Sequence, residues 1–218
     1  MTQTSPPPPP GTHIRYDLST ARIAPPRGFG AEVYRWASRL VLFLGRWKTA
    51  GDFPATPKAV VLAAPHTSNW DGIWMIAAAG KYRIRLHWMG KASLAKGPLG
   101  WLAKLSGLIP VDRSGGKDIV RATADAFAEA DHLLIAIAPE GTRSAVGEWK
   151  SGFYHIARLA EAPIVFAVMD YGTRTVRISG EIWPTGDYEA DLAEIRTHYA
   201  DARGRHAGRF SMGDGKQN

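Results

Sequence analysis

The chain has 218 residues, 45% of them apolar and 22% charged, enough for one domain with a buried core and unlike a fully disordered or fibrous chain. It has no cysteine, which excludes disulfides, a cysteine nucleophile, an iron–sulfur cluster and a thiolate zinc site. With 27 Lys and Arg against 20 Asp and Glu, its net charge of +7 favours an anionic partner: nucleic acid, a phospholipid surface or a phosphorylated substrate.

Residues 1–30 read as a Pro-rich arm, with Pro6 to Pro10 in one run and no basic start or apolar stretch of a secretory signal. No run of 18 apolar residues predicts a spanning helix, so the expected location is cytoplasmic. Residues 31–48 carry a helical pattern. Val33, Trp36, Ala37, Leu40, Val41, Leu44 and Trp47 recur at helical spacing, and Arg35, Arg39 and Arg46 follow one another at steps of four and seven on another face. An apolar stripe beside a basic one suits a helix lying in an anionic membrane interface, and equally a surface helix packed on the domain.

From residue 58 the chain alternates. Strand-like runs are expected at Val60–Ala63, Ile84–Met89, Leu108–Val111, Leu133–Ala138, Ile164–Met169 and Thr173–Trp183. Helical patterns fall at 70–80, at 93–105 with a break at Gly97-Pro98, and at 116–130, 150–161 and 187–201. The alternation predicts a single α/β layered domain over 31–203, its largely parallel mixed sheet flanked by helices and preceded by the amphipathic N-terminal helix. Residues 204–218, rich in Gly and basic groups, read as a flexible tail. Sites in such sheets gather where loops leave the C-terminal ends of strands.

Three polar loops follow strand-like runs. The first, Pro65-His66-Thr67-Ser68-Asn69-Trp70-Asp71, offers a base and an orienting carboxylate five residues apart. On one helix five steps of 100° would separate them by roughly 140°, so His66 must precede the helix and Asp71 lie in its first turn, with Ser68 or Asn69 as N-cap. The second, Gly107-Leu108-Ile109-Pro110-Val111-Asp112-Arg113, delivers an arginine suited to bidentate phosphate contact. Lys91 stands at the end of an earlier strand, and from Lys81 to Lys117 eight basic residues face only Asp112. The third, Pro139-Glu140-Gly141-Thr142-Arg143-Ser144, places Glu140 and Arg143 around a tight turn at Gly141. Each loop alone also fits an ordinary solvated turn.

Together and in this order, His66-x4-Asp71, Gly107-x-Ile109-Pro110-Val111-Asp112-Arg113 and Pro139-Glu140-Gly141-Thr142-Arg143-Ser144 resemble the motifs of the glycerolipid acyltransferase family, with 1-acyl-glycerol-3-phosphate acyltransferases as its best-known members. The resemblance covers about 58–172. Gly90-Lys91-Ala92-Ser93-Leu94 and Pro98-Leu99-Gly100-Trp101 are similar to its linker, and Ala162-Pro163-Ile164-Val165-Phe166 to its fourth motif, with Phe166 where a second proline is common. The resemblance implies His66 as general base, Asp71 as its partner, Arg113 on the acceptor's phosphate, and Glu140 and Gly141 in acceptor binding. Lys91 and Arg143 join the acceptor-binding set by charge and location.

The implied reaction moves an acyl group from acyl-CoA or acyl carrier protein to the hydroxyl of a lysophospholipid, most simply 1-acyl-glycerol-3-phosphate, at the inner face of the cell membrane. No metal or other cofactor is expected, because no His-x-x-His or carboxylate cluster with ligand spacing is present. Without a Gly-x-Ser-x-Gly elbow, direct transfer is the simpler scheme. The same chemistry on another lysolipid, including a lyso-aminolipid, stays open. So does a non-catalytic basic membrane-binding module. A nucleic-acid partner is not expected, since aromatic residues do not interleave with basic ones as a stacking platform would.

Overall fold

In the computed structural model, which describes residues 27–96, 98, 100–111, 116–206 and 208–213, seven strands form one sheet. They are β1 (Lys48–Ala50), β2 (Lys58–Ala64), β3 (Leu86–Lys91), β4 (Leu108–Val111), β5 (Leu133–Ile137), β6 (Ile164–Asp170) and β7 (Thr175–Ile182), in the spatial order β1-β7-β6-β2-β5-β3-β4. All pairings are parallel except β6 with β7. That exception is local in origin: only Tyr171 to Arg174 separate these two strands, too short for a crossover but enough for a hairpin. The helices are α1 (Phe29–Leu44), α2 (Trp70–Tyr82), α3 (Gly100–Leu105), α4 (Gly116–Glu129), α5 (Gly152–Leu159) and α6 (Tyr188–Thr197), with a 3₁₀ turn at Ala92–Ala95. The expected single α/β domain with a largely parallel mixed sheet is therefore present.

The central strand β2 shows why the layers form. Val60, Leu62 and Ala64 point into a core with Phe127, Phe153, Tyr154, Ile156, Leu192, Ile195 and Tyr199, the side covered by α4, α5 and α6. Ala59, Val61 and Ala63 point the other way, toward Ala77, Ala78 and Ala79 of α2 and small side chains of β5 and β6. Both faces are buried, so the strand reads as a continuous apolar run. The alanine-rich face lets α2 lie close to the sheet.

α1 packs on α2 rather than on the sheet. The contact is tight: a Cβ added at Gly80 would fall 2.0 Å from Ser38 Oγ. Ser38 and Leu42 form its buried face, and Tyr34 O–H donates to the Ile76 carbonyl at 2.6 Å. The expected apolar stripe points outward, with Trp36 66%, Leu40 56% and Leu44 71% exposed.

Several boundaries depart from the sequence reading, most of all at the two ends of the domain. α1 spans 29–44, not 31–48, because Gly45 ends it and Arg46 takes a left-handed φ of 57°. Trp47 consequently leaves the stripe and is buried, and Arg46 leaves the basic row. Lys48 to Ala50 become the edge strand β1, too short to show a period of two in sequence. α6 stops at Thr197, and residues 203–206 and 208–213 are held to the domain rather than forming a free tail: Arg196 Nε donates to the Met212 carbonyl at 2.8 Å and Trp149 Nε1 to the Ser211 carbonyl at 3.0 Å. Of the Pro-rich arm, residues 1–26 lie outside the described residues, and residues 29 and 30 belong to α1.

Candidate active site

β6, β2 and β5 are parallel neighbours, so the segments leaving their C-terminal ends emerge side by side. These are Tyr171, the loop from Pro65 to Asn69, and the turn from Ala138 to Gly147. The topology alone brings His66, Glu140 and Tyr171 together.

His66 precedes α2 and Asp71 is its second residue, as the spacing requires. Nδ1 of His66 stands 3.3 Å from Asp71 Oδ2, and the His66 side chain is 31% exposed while that of Asp71 is 0% exposed. Asn69 holds the N-cap position, and Ser68 Oγ accepts the N–H of Trp70, the first helical residue, at 3.3 Å, while Asp71 reaches back to the segment before the helix. Its Oδ2 accepts the N–H groups of Thr67 and Ser68 at 2.7 Å each, and Asn69 makes no side-chain cap. A carboxylate there also meets the positive end of the helix dipole. Burial works against the charge, but the bonds from His66, Tyr171 and Ser68 outweigh it and hold the carboxyl below its usual range. The arrangement engages Nδ1 and leaves Nε2 as the nitrogen that can take a proton from an incoming hydroxyl.

Tyr171 was not singled out in the sequence, although it follows directly on a strand at the sheet's C-terminal edge. Its O–H donates to Asp71 Oδ1 at 2.6 Å. Burial and the neighbouring Asp71 push its hydroxyl well above the ordinary phenol range, so it remains a donor. Trp47 meets Tyr171 edge-on at 4.8 Å, stacks on Trp74 at 5.1 Å, and Trp74 stacks in turn on Trp70 at 5.8 Å. This aromatic row backs the His66–Asp71–Tyr171 chain. Tyr171→Phe should move the onset of acid unfolding to higher pH, because Asp71 loses a donor and its depressed pKa rises toward the ordinary value. Stability from Asp71 is lost as pH falls through that pKa, so the loss begins sooner. The bond to a charged acceptor contributes about 1.5–3 kcal/mol at neutral pH. Circular dichroism across an acid titration measures the shift; an unchanged midpoint would show that the bond carries nothing.

Glu140 lies beneath His66 rather than in the open site. It is 1% exposed, and its Oε1 accepts the His66 backbone N–H at 2.9 Å. Its Oε2 is buried with no hydrogen-bond partner among the described residues. Burial raises its pKa to about 7 against the bonds that favour its charge. Gly141 has a φ of +64°, and a Cβ there would come 2.9 Å from Lys150 Cδ, so the turn is built for glycine. Lys91 ends β3, beyond β5 from His66, and is exposed. Arg143 is exposed in the turn after Gly141. Arg113 lies outside the described residues.

The strap that follows α6 crosses the same edge. The Tyr171 N–H donates to the Arg203 carbonyl at 2.9 Å, and the Arg203 N–H to Asp170 Oδ1 at 3.0 Å. The Arg205 N–H then donates to Thr67 Oγ1 at 2.9 Å, one residue from His66.

Of two cavities among the described residues, one lies beside these elements. This one, 430 Å³ and almost wholly apolar, runs between α1, α2 and α3 past Val41, Ile73, Ile76 and Leu102. Leu102, Ala103 and Ser106 are the residues of α3 and its end that line it, and Trp101 and Leu105 of α3 are exposed. The larger, 570 Å³, lies at the opposite pole, at the N-terminal ends of β2, β3 and β5, and is lined by none of the motif residues. Among the described residues no helix is long and apolar enough to cross a membrane.

A family model described as Acyltransferase matches residues 49–170. Among solved structures, the chain is similar to the crystal structure of the 1-acyl-sn-glycerophosphate (LPA) acyltransferase PlsC from Thermotoga maritima, with a TM-score of 0.53, 15% identity and 81% of each chain covered. At that identity the likeness is one of fold. No curated protein matches significantly.

Proposed function

The chain belongs to the acyltransferase family, and from that premise we propose that it moves a fatty acyl group from an acyl thioester, acyl-CoA or acyl carrier protein, to the free hydroxyl of a lysophospholipid, 1-acyl-glycerol-3-phosphate, giving phosphatidate. The observation that carries this reading is the His66–Asp71 pair: a partly exposed imidazole 3.3 Å from a fully buried carboxylate.

Nε2 of His66 takes the proton of the acceptor hydroxyl as its oxygen attacks the thioester carbonyl. The tetrahedral adduct collapses, the C–S bond breaks, and the imidazolium returns its proton to the leaving thiolate. Asp71 fixes the tautomer with the reactive nitrogen outward and offsets the imidazolium charge. Tyr171, Thr67 and Ser68 hold the carboxylate in register. Glu140 acts through the backbone of His66, holding its N–H, so its role in acceptor use is indirect. Arg113, by its place in the second motif, is assigned to the acceptor's phosphate, with Lys91 and Arg143 as further cations on the same side. The scheme calls on no metal or cofactor.

The test is an acyl-transfer assay over a panel of lysolipid acceptors with both donor types. Transfer to 1-acyl-glycerol-3-phosphate is expected; no transfer to any lysolipid from either donor would overturn the reading.

A lipid acceptor requires the site to meet a bilayer, and we assign that contact to α1, on the inner face of the cell membrane. Its outward face carries Trp36, Leu40 and Leu44, its Arg39 guanidinium lies 5.4 Å from the Trp36 ring, and the apolar groove opens beside it. Arg35 is already engaged with Glu32 at 3.4 Å, so Arg39 and Arg46 supply the free charge. Serine at Trp36, Leu40 and Leu44 should release the protein from anionic vesicles. Glutamate at Arg39 and Arg46 should weaken binding by about 2 kcal/mol from the lost attraction alone and reduce its salt dependence. Vesicle sedimentation decides it, and variants that sediment like wild type would leave α1 without a docking role.

A further inference from the structure

We propose that Arg205, carried in by the strap after α6, is a substrate-binding residue whose guanidinium receives the phosphate of the acceptor beside His66. The proposal rests on the acyl-transfer reading and adds to it a cation from outside the matched segment, which ends at residue 170.

The strap contact and the position of the guanidinium place Arg205 there. Its backbone is fixed: the N–H donates to Thr67 Oγ1 at 2.9 Å, and Arg203, two residues earlier, is tied to Tyr171 and Asp170. The strap comes in close because position 204 is glycine, since a Cβ there would lie 2.6 Å from Thr67 Cγ2. The guanidinium lies over the half-exposed ring of Trp70, the residue before Asp71, at 5.4 Å from its centroid. Its charge also acts on the Tyr171 hydroxyl, which bonds Asp71, so it belongs to the same electrostatic neighbourhood.

What Arg205 lacks is an anion. The described residues give Arg35, Arg83 and Arg177 carboxylate partners, but none to Arg205. Its guanidinium lies over the Trp70 face, and a cation–π contact at an exposed ring is weak beside a charge-assisted bond to phosphate. The guanidinium is therefore held near the site with its donors unspent. In 1-acyl-glycerol-3-phosphate the phosphate hangs from the carbon next to the reacting hydroxyl. A hydroxyl at His66 Nε2 thus keeps the phosphate within a few bonds of the base, and Thr67, the next residue, is the one that anchors the Arg205 backbone. The planar fork of arginine suits a phosphate monoester bound through two oxygens.

The experiment uses the full chain and the variants Arg205→Gln and Arg205→Lys, which keep the backbone bond to Thr67. Steady-state kinetics are run with acyl-CoA as donor and two acceptors, 1-acyl-glycerol-3-phosphate and its uncharged counterpart 1-acylglycerol. Calorimetric titration with glycerol 3-phosphate is run in parallel. With Arg205→Gln the KM for the phosphorylated acceptor should rise about tenfold or more, the loss of one charge-assisted contact. The preference for the phosphorylated over the uncharged acceptor should fall by the same factor, and affinity for glycerol 3-phosphate should fall with it. Arg205→Lys should recover part of each.

Equal losses on both acceptors would make Arg205 an anchor of the strap and overturn the proposal. A rise confined to the donor's KM would place it on the phosphates of CoA instead, and also overturn it. Transfer by the variant indistinguishable from wild type would sink the inference and leave the acyl-transfer reading standing. A wild type that transfers no acyl group would overturn the acyl-transfer reading and the acceptor role of Arg205 with it, even where Arg205→Gln loses glycerol 3-phosphate. A wild type that neither transfers nor binds would end both.

Discussion

Replacing His66 with alanine should lower kcat by about 10²–10⁴ and leave the fold intact, the loss being that of general-base assistance. The two expectations have separate grounds. The imidazole is partly exposed and its contact with protein is to Asp71 Oδ2, which keeps the Thr67 and Ser68 N–H groups when the ring is gone. Glu140 binds the backbone N–H at 66, which alanine also has. The far-UV circular dichroism spectrum and thermal midpoint of His66→Ala should therefore stay close to wild type. Saturating both substrates then isolates the chemical step. Wild-type turnover in a folded His66→Ala protein would remove histidine from the mechanism.

The second large effect concerns stability and lies with Glu140. Its carboxyl, held at a pKa of about 7 against an ordinary 4.5, binds its proton more tightly in the folded chain than in the unfolded one. A raised acid pKa stabilises the fold fully below pH 4.5, and the contribution falls as pH rises from there and is gone above pH 7. At about 1.4 kcal/mol per pH unit, that window is worth on the order of 3 kcal/mol. Glu140→Gln keeps an oxygen for the His66 N–H but cannot titrate. Urea unfolding of both proteins at intervals from pH 5 to 8 should show wild-type stability declining relative to Glu140→Gln by roughly that amount. A difference that stays flat with pH would mean that the buried carboxyl is not held protonated.

The order of strands and helices was legible in the sequence because β2, β5 and β6 are short apolar runs buried on both faces, and α2 and α4 carry clear patterns. The His66–Asp71 pair was legible because its spacing has one solution, a base before a helix and a carboxylate in its first turn. Other features were hidden for definite reasons. Trp47 sits at helical spacing from Leu40 and Leu44, so the end of α1 was masked until Arg46 turned the chain. Glu140 looked like a ligand contact because a turn glutamate is ordinarily exposed; its burial depends on the parallel pairing of β2 with β5. Tyr171 and Arg205 reach Asp71 and Thr67 across 100 and 138 residues of chain, and no local pattern records a contact at that range. The outward stripe of α1 was visible, but which side faced α2 was decided by Ser38 against Gly80, two small residues with little weight in a hydrophobic pattern.

The long reach of these contacts has a consequence for the protein as it is made. The bond from Glu140 to His66 spans 74 residues, that from Tyr171 to Asp71 spans 100, and that from Arg205 to Thr67 spans 138. During synthesis from the N-terminus, the stretch bearing His66 and Asp71 leaves the ribosome well before any of these partners. An incomplete chain can display the apolar outer face of α1 and carries Asp71 beside His66, yet it lacks the distant bonds that hold that pair in register. If α1 docks as proposed, attachment to a bilayer would precede competence. A ribosome-bound chain arrested short of Tyr171 would be inert, and enzyme activity would signal that translation had passed the strap.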